Sequence, residues 1–457
     1  MKICKIRYRN HPVLEDLELD LVNPNTGLPY ETIVLAGENG TGKTSILSTL
    51  NTFLCLHSFQ PFERIEYEAG GKLFAAVSTG NAQNDNIGIH NRIDLQTNVN
   101  TTIHSNYNFN KDGIEQDQFD LRHYGCVYSK ARADFSVKKI TGTTSLEIDK
   151  ESYDEDNKED FSSLKQLIID LQYDDSITWQ EMTESSPAHT ADYETFMITA
   201  KMYRFRRAFN NFFETIKYKK VESSEGEKKV LFTKYNKDIS IDDLSTGEKQ
   251  IVYRGIYLLR NVGKLEGGAV MIDEPELSMH PKWQKRILKY FKDLFTAADG
   301  TQKAQLFFAT HSEYVIGEAL KDSENTLVVV LKDDNGTIKK NAVTAPLLLP
   351  TLVASEVNYV AFDVPSIDYH IALYGAIQTK YNKHRILDCD RFIQTQCAPY
   401  YDSAHHGVTT THRGNTYNTL PTKIRNHIDH PDNPYTFTEE ELRDSIVLMR
   451  YILEHIP

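Results

Sequence analysis

Eight consecutive residues, Gly37-Glu38-Asn39-Gly40-Thr41-Gly42-Lys43-Thr44, match the phosphate-binding template G-x-x-x-x-G-K-[ST] at every position. Glycines let backbone N–H groups approach phosphate oxygens, and a following helix N-terminus adds a field that favours an anion. In that arrangement Lys43 pairs with the β and γ phosphates of a nucleotide and the Thr44 hydroxyl holds Mg²⁺. Gly37, Asn39, Gly40, Gly42 and Ser45 complete the loop, so the implied ligands are ATP and Mg²⁺.

A second cluster supplies carboxylates. Ala269-Val270-Met271-Ile272-Asp273-Glu274 is an apolar run that delivers two acidic residues at its end. Asp273 is placed to bind the metal. Glu274, one residue on, points elsewhere and can orient and deprotonate an attacking water. Further along, Gln305-Leu306-Phe307-Phe308-Ala309 leads into Thr310-His311-Ser312, which puts a histidine at another strand end.

The elements needed to position these groups are legible around them. Thr32-Ile33-Val34-Leu35-Ala36 reads as a buried strand before the glycine loop, and Ser45–Leu50 reads as the start of a helix. The expected fold class is therefore α/β.

One further segment narrows the class. Leu244-Ser245-Thr246-Gly247-Glu248 resembles the ABC signature, commonly LSGGQ, with Thr246 in place of a glycine and Glu248 in place of the glutamine. An apolar-periodic helix, Lys249–Leu259, follows it. Pro275–Pro281 resembles the D-loop of that family, and His311 is placed like its switch histidine. With the opening strand Met1–Tyr8 and the alternating Leu14–Leu21, the chain resembles the SMC/RecF-like branch of ABC ATPases over about residues 1–335. The resemblance implies that Ser245 and Gly247 cap a γ-phosphate held by another protomer, that His311 senses the same phosphate, and that the protein works as a homodimer or higher oligomer. Tyr124–Arg132 falls where the family places its Q-loop, without an assignable glutamine.

About 200 residues separate the glycine loop from the signature, too few and without the heptads for long coiled-coil arms. The expected organisation is an ATPase lobe over 1–145, a short helical insertion over 146–225, a second ATPase lobe over 226–340 and a C-terminal α-helical region over 341–457. Within the insertion Glu147–Asp160 reads as an acidic loop, and Phe161–Tyr173 and Thr190–Tyr218 as helices. The second helix and its exit interleave Lys201, Arg204, Arg206, Arg207, Lys217, Lys219 and Lys220 with aromatics. That pattern fits nucleic-acid contact, but an amphipathic helix packing its rings fits better.

The formal charge of −13 over 457 residues argues against a general nucleic-acid coat. No apolar stretch of about twenty residues is present, so no membrane span is expected. Five scattered cysteines without metal spacing suit a reducing, cytoplasmic setting.

The tail carries one chemical candidate. Arg425-Asn426-His427-Ile428-Asp429-His430 matches the R-x4-H pattern of HEPN-type ribonucleases. Asp429 and Asp432 suit an RNA phosphate poorly, so a structural or partner-binding role is expected for Arg425 and His430. Pro431 is expected to end that helix, and Thr438 with Glu441 to start the next. His405, His406 and His412 flank a Gly/Thr-rich segment that reads as a loop and is a weak metal candidate. A TOPRIM nuclease is not supported, because Asp388-Cys389-Asp390 lacks the surrounding pattern. The whole resembles ATPase subunits of bacterial anti-phage systems of the Septu and retron-associated kinds, which implies a separate nuclease effector. An ATPase-controlled ribonuclease toxin and a RecF-like DNA repair ATPase are the alternatives.

Overall fold

The structure is a computed structural model that describes residues 1–131, 153–155, 161–185, 202–224, 226–259, 265–297, 299–397, 400–412, 414–430 and 434–456, with 192, 193, 195, 196, 200 and 432 as isolated positions. Two compact units are present, Met1–Asn341 and Ala342–Pro457.

The first unit is built on a seven-stranded sheet. Its order is Thr337–Val343, Thr326–Asp334, Thr32–Ala36, Gln305–Thr310, Ala269–Asp273, Cys126–Ser129 and Tyr153–Glu155. From Thr326–Asp334 onward every neighbouring pair is parallel. The central strands are buried along their whole length, which is why they read as unbroken apolar runs. Ala36 pairs with Thr310, Ala309 with Asp273, and Ile272 with Ser129, so the carboxyl ends of four strands lie level along one edge. In an open α/β sheet that edge is where ligands bind.

The helix Lys43–Leu54 leaves the glycine loop directly and packs on Cys126–Ser129, Ala269–Asp273 and Gln305–Thr310. Its C-terminal Phe53 sets its ring edge-on to Phe59 and His90, at centroid distances of 4.8 and 5.2 Å. These residues belong to an antiparallel sheet of six strands, ordered Glu18–Asp20, Lys2–Tyr8, Phe62–Ala69, Lys72–Val77, His90–Asp94 and Asn100–Ile103, and to its connections. The helix that follows the glycine loop thus lies between two sheets.

The segment expected to be helical over 146–225 is only partly so. Phe161–Ser185 and Tyr203–Phe212 are helices, but Ile216–Ser224 is a strand, paired antiparallel with Glu227–Lys234. The helix expected to run through Tyr218 stops at Phe212, because Ile216-Lys217-Tyr218 alternates buried and exposed residues with the period of a strand. The acidic segment Glu147–Asp160 lies outside the described residues except for the strand Tyr153–Glu155, and Lys201 also lies outside them. Phe205, Phe209, Phe212 and Phe213 are buried. Phe212 meets Tyr290 and Phe213 meets Trp283 on the helix Pro281–Leu294, at centroid distances of 5.3 and 5.1 Å. The aromatic stripe is core. Lys217 caps the carbonyls of Asn210 and Phe213, and Lys219 and Lys220 pair with Asp238 and Glu222.

The C-terminal unit has helices Ala354–Phe362, Ile367–Lys380, Ile386–Gln396, Leu420–Asp429 and Glu439–His455 around a shared core that includes Tyr369, Leu373, Ile393, Ile446 and Met449. Thr438 and Glu441 form the expected capping box. The unit is not wholly helical. Gly407–His412 and Asn415–Thr419 pair antiparallel, so the Gly/Thr-rich segment expected to be a loop is a hairpin. Its run of threonines favours extended backbone, and Gly414 turns it at φ 78°. Among the described residues no helix is long and apolar enough to cross a membrane.

Candidate functional site

The loop Gly37–Thr44 leaves the strand Thr32–Ala36 and enters the helix at Lys43. Gly37 has φ 148°, and a Cβ there would sit 2.2 Å from the Leu331 carbonyl oxygen, so only glycine fits. Gly42 has φ 86°, and a side chain on it would collide with Leu14 at 2.4 Å. The N-terminal segment, through Leu14, and a neighbouring strand, through Leu331, thus lie against the loop.

Lys43 is 5 % exposed and donates to the carbonyls of Gly37 and Glu38 at 2.8 and 2.7 Å. Burial lowers its pKa to about 8, against the opposing pull of Asp273, Glu274, Glu276 and Glu38. The Thr44 hydroxyl donates to Asp273 Oδ2 at 2.9 Å, and the Tyr128 hydroxyl reaches the same oxygen at 3.3 Å. The two oxygen donors expected to share a cation are thus in direct contact.

Glu274 sits just beyond the strand end in the left-handed region, φ 45°, with its N–H given to the Ala309 carbonyl at 2.9 Å. That backbone is uncommon outside glycine and turns the side chain away from the direction of Asp273. His311 Nε2 lies 3.8 Å from Glu274 Oε1. Burial, then the Lys43 charge, lowers the His311 pKa, so the ring is neutral at neutral pH although Glu274 and Asp273 pull the other way. An open cleft of about 260 Å³ is lined by Val13, Asn39, Gly40, Gly42, Lys43, Thr44, Ser45, Glu274 and His311. Residues from separate stretches of sequence meet there.

Ser245 and Gly247 do not line that cleft. Ser245 and Glu248 form a reciprocal cap at the start of the helix Thr246–Leu259: Ser245 N–H donates to Glu248 Oε2 at 2.8 Å and Glu248 N–H to Ser245 Oγ at 3.4 Å. Glu248, which departs from the usual glutamine, also pairs with Lys234 at 2.8 Å. Gly247 is buried, and a Cβ on it would sit 2.8 Å from the Ser278 carbonyl. The segment resembling a D-loop is therefore pressed against the signature segment of its own chain.

Sequence reasoning missed two residues here. Arg254, 1 % exposed on the signature helix, donates to the carbonyls of Asp273, Glu274 and Lys130 at 2.8, 3.1 and 3.1 Å. Glu276 accepts from the Thr310 hydroxyl and the His311 N–H at 2.7 and 2.8 Å. Only the burial of their positions in a polar sequence context could have flagged them.

In the C-terminal unit Arg425 pairs with Asp429, and His430 stacks on His412 with ring centroids 4.7 Å apart. Each of the two is engaged by a different neighbour. Among the described residues no group of three or more His, Cys, Asp or Glu is placed to hold a metal.

Residues 33–317 match the family described as "AAA domain, putative AbiEii toxin, Type IV TA system". Among solved structures the chain is similar to an SMC head bound to the C-winged helix domain of ScpA, at 10% identity, 75% of this chain, 98% of that chain and a TM-score of 0.39. It is also similar to the SMC head domain from Thermotoga maritima, at 13% identity, 75% and 99% coverage and a TM-score of 0.35. A third is an Smc head with an extended coiled coil bound to the C-terminal domain of ScpA derived from Pyrococcus furiosus, at 11% identity, 75% and 96% coverage and a TM-score of 0.37. The family match spans well over half of the chain and includes the glycine loop, the two carboxylates, the signature segment and His311: the chain belongs to this AAA domain family of P-loop ATPases.

Proposed function

We propose that the protein binds ATP with Mg²⁺, closes as a homodimer around the nucleotide, and uses hydrolysis to control a separate nuclease effector in anti-phage defence. The observation that supports the ATPase step most directly is the Thr44–Asp273 contact at 2.9 Å, with Thr44 lining the same cleft as Glu274 and His311. The donor set fits the ligands: two hard oxygens for a divalent cation, a glycine loop whose Gly37 has no room for a Cβ, and a desolvated ammonium. Bound Mg²⁺ would supply charge neutralisation on the phosphates. Lys43 then holds the β/γ oxygens, Glu274 takes the proton of the attacking water, and neutral His311 offers a ring N–H beside it.

Dimerisation is supported by Ser245 and Thr246, which are exposed at a helix N-terminus away from the cleft. An exposed cap of this kind suits a phosphate presented by another protomer. The defence role is supported by the name of the family and by the resemblance to Septu-type and retron-associated ATPases. Arg425 and His430 are engaged by neighbours, which favours a structural role over RNA cleavage.

The split site is tested by mixing. Ser245→Arg and Lys43→Ala should each be inactive alone, and heterodimers of the two should regain one working site. A mixture that forms heterodimers and stays inactive removes the dimer model. Copurification from native cells tests the effector: recovery of no nuclease with the ATP-bound Glu274→Gln protein would count against that part.

A further inference from the structure

We infer that Glu276 is a positioning residue of the nucleotide site, a buried acceptor that fixes the turn carrying His311 relative to Glu274; the inference rests on the ATPase reading above. Ala269–Asp273 and Gln305–Thr310 are adjacent parallel strands with Asp273 level with Ala309, so the first strand ends at Asp273 beside the last residues of the second, and the chain leaves the sheet at Glu274 and at His311. The sheet itself does not fix the two loops that leave it. Beyond the last ladder bond, they must keep a carboxylate and an imidazole at 3.8 Å.

Two ties do that. The Glu274 N–H is given to the Ala309 carbonyl at 2.9 Å. Two residues later Glu276 Oε1 receives both the Thr310 hydroxyl, at 2.7 Å, and the His311 N–H, at 2.8 Å. Thr310 Oγ1 in turn accepts from the Ser312 N–H at 3.0 Å, so one carboxylate oxygen organises three consecutive residues. A second side chain of the same stretch braces the far end: the Ser312 hydroxyl donates to Gln284 Oε1 at 2.7 Å, and Gln284 Nε2 donates to the Met279 carbonyl at 3.0 Å. The His311 turn is bracketed from both sides by the segment 276–284.

Glu276 is a costly way to hold a turn. It is 9 % exposed, and its Oε2 is buried without a hydrogen-bond partner. Burial raises its pKa, and the bonds from Thr310 and His311 pull it back only in part. A buried carboxylate with one unpaired oxygen costs stability. Its presence is explained if hydrolysis depends on where His311 and Glu274 stand, since a misplacement of about 1 Å can cost about a hundredfold in rate. The role requires an acceptor at Oε1, not a charge.

The test is steady-state ATP hydrolysis, ATP binding and thermal unfolding of the full chain, wild type against Glu276→Ala, Glu276→Gln and Thr310→Val, with Lys43→Ala as control. Glu276→Ala should lose about ten- to a hundredfold in kcat, with the Kd for ATP within about threefold of wild type. Glu276→Gln keeps the acceptor and should stay within about threefold in kcat. Thr310→Val removes one of the two donors and should fall between them. Wild-type kcat in Glu276→Ala overturns the inference, as does an equal loss in Glu276→Gln, or a rise in Kd that matches the loss in kcat. If Glu276→Ala does not fold, Thr310→Val decides, and an unchanged kcat there overturns it. Wild-type protein without ATPase activity, or with activity that survives Lys43→Ala, defeats the ATPase reading itself and is told apart from failure of the Glu276 role by that control.

Discussion

The cleft at Lys43 and the Arg425–His430 segment both announce themselves by short patterns of chemically able residues, yet the protein treats them in opposite ways. At the first, side chains are gathered from distant parts of the chain, and backbone strain is accepted to present one of them, Glu274 at φ 45°. At the second, and elsewhere in the C-terminal unit, polar groups are taken up within the fold. Arg425 is held by Asp429 one helical turn away, and buried Asp390 accepts from Asn418 N–H, Thr419 N–H and the Thr419 hydroxyl. Glu356 likewise accepts from Leu348 and Leu349 N–H groups and from Tyr369. Asp390 and Glu356, whose oxygens are taken up by N–H and O–H groups of their own unit, are folding devices, whereas Glu274, presented across a strained turn toward His311, is available for chemistry.

The comparison breaks first at Glu274. Glu274→Gln keeps the shape of the side chain but cannot take a proton. Hydrolysis should fall by about 10² to 10⁴ while ATP stays bound. Lys43→Ala should abolish binding instead, because it removes the cation from the loop. Phosphate release assays beside nucleotide retention on a desalting column separate the two. Equal turnover in wild type and Glu274→Gln would show that the strained carboxylate is not the base.

The glycine loop, the carboxylate pair, the signature-like segment and His311 are all legible in the sequence because each is a contiguous string whose spacing is dictated by local geometry. The parallel sheet is legible for a related reason: strands buried on both faces read as apolar runs. The features that escape are long-range. Arg254 looks like one charge on an amphipathic helix, and only the sheet register shows that it reaches three strand-end carbonyls. The strand at Ile216–Ser224 passes for helix because lysines and aromatics can be fitted to either period over a few residues. The hairpin Gly407–Thr419 passes for a loop because its pairing partner is itself.

Arg254 gives the next largest effect. Its guanidinium ties the signature helix to the backbone of Asp273 and Glu274. Arg254→Ala leaves buried carbonyls without a donor, which should cost about 3 kcal/mol or more. Arg254→Lys cannot span the same fork of acceptors and should recover only part of it. Thermal unfolding and kcat should fall together in both. A variant with full stability and full turnover would mean that the signature helix and the strand ends are independent.

A subtler effect arises from the buried ammonium. The Lys43 pKa of about 8 belongs to the nucleotide-free protein and is below its ordinary 10.5, so the charge is lost as pH rises through about 8. Phosphate binding needs the charged form, and so ATP affinity should weaken above pH 8 by about tenfold per unit until the pKa of the complex is reached. At pH 8 binding should take up about half a proton, which calorimetry in buffers of different ionisation enthalpy reads directly. The sign for folding is opposite. An unfolded chain keeps this proton up to about 10.5, so the contribution of Lys43 to the stability of the nucleotide-free fold grows between about 8 and 10.5. Affinity that is flat from pH 7 to pH 9.5 would show that the loop lysine is not desolvated.

The smallest effects belong to the other region, and their smallness is the point. Arg425→Ala removes an ion pair to a partly exposed partner one helical turn away, which is worth about 0.5 kcal/mol. His430→Ala removes a ring stacked on His412 at the end of the helix Leu420–Asp429, and should cost no more than about 1 kcal/mol. Neither change should alter ATP turnover, and wild-type protein should not cut RNA. Incubation with labelled RNA in the presence of EDTA, wild type beside His430→Ala, decides the matter. Metal-independent cleavage by the wild type that disappears in His430→Ala would make Arg425 and His430 a second active site. The rule that locally satisfied polar groups are structural would then fail in the very region from which it was drawn.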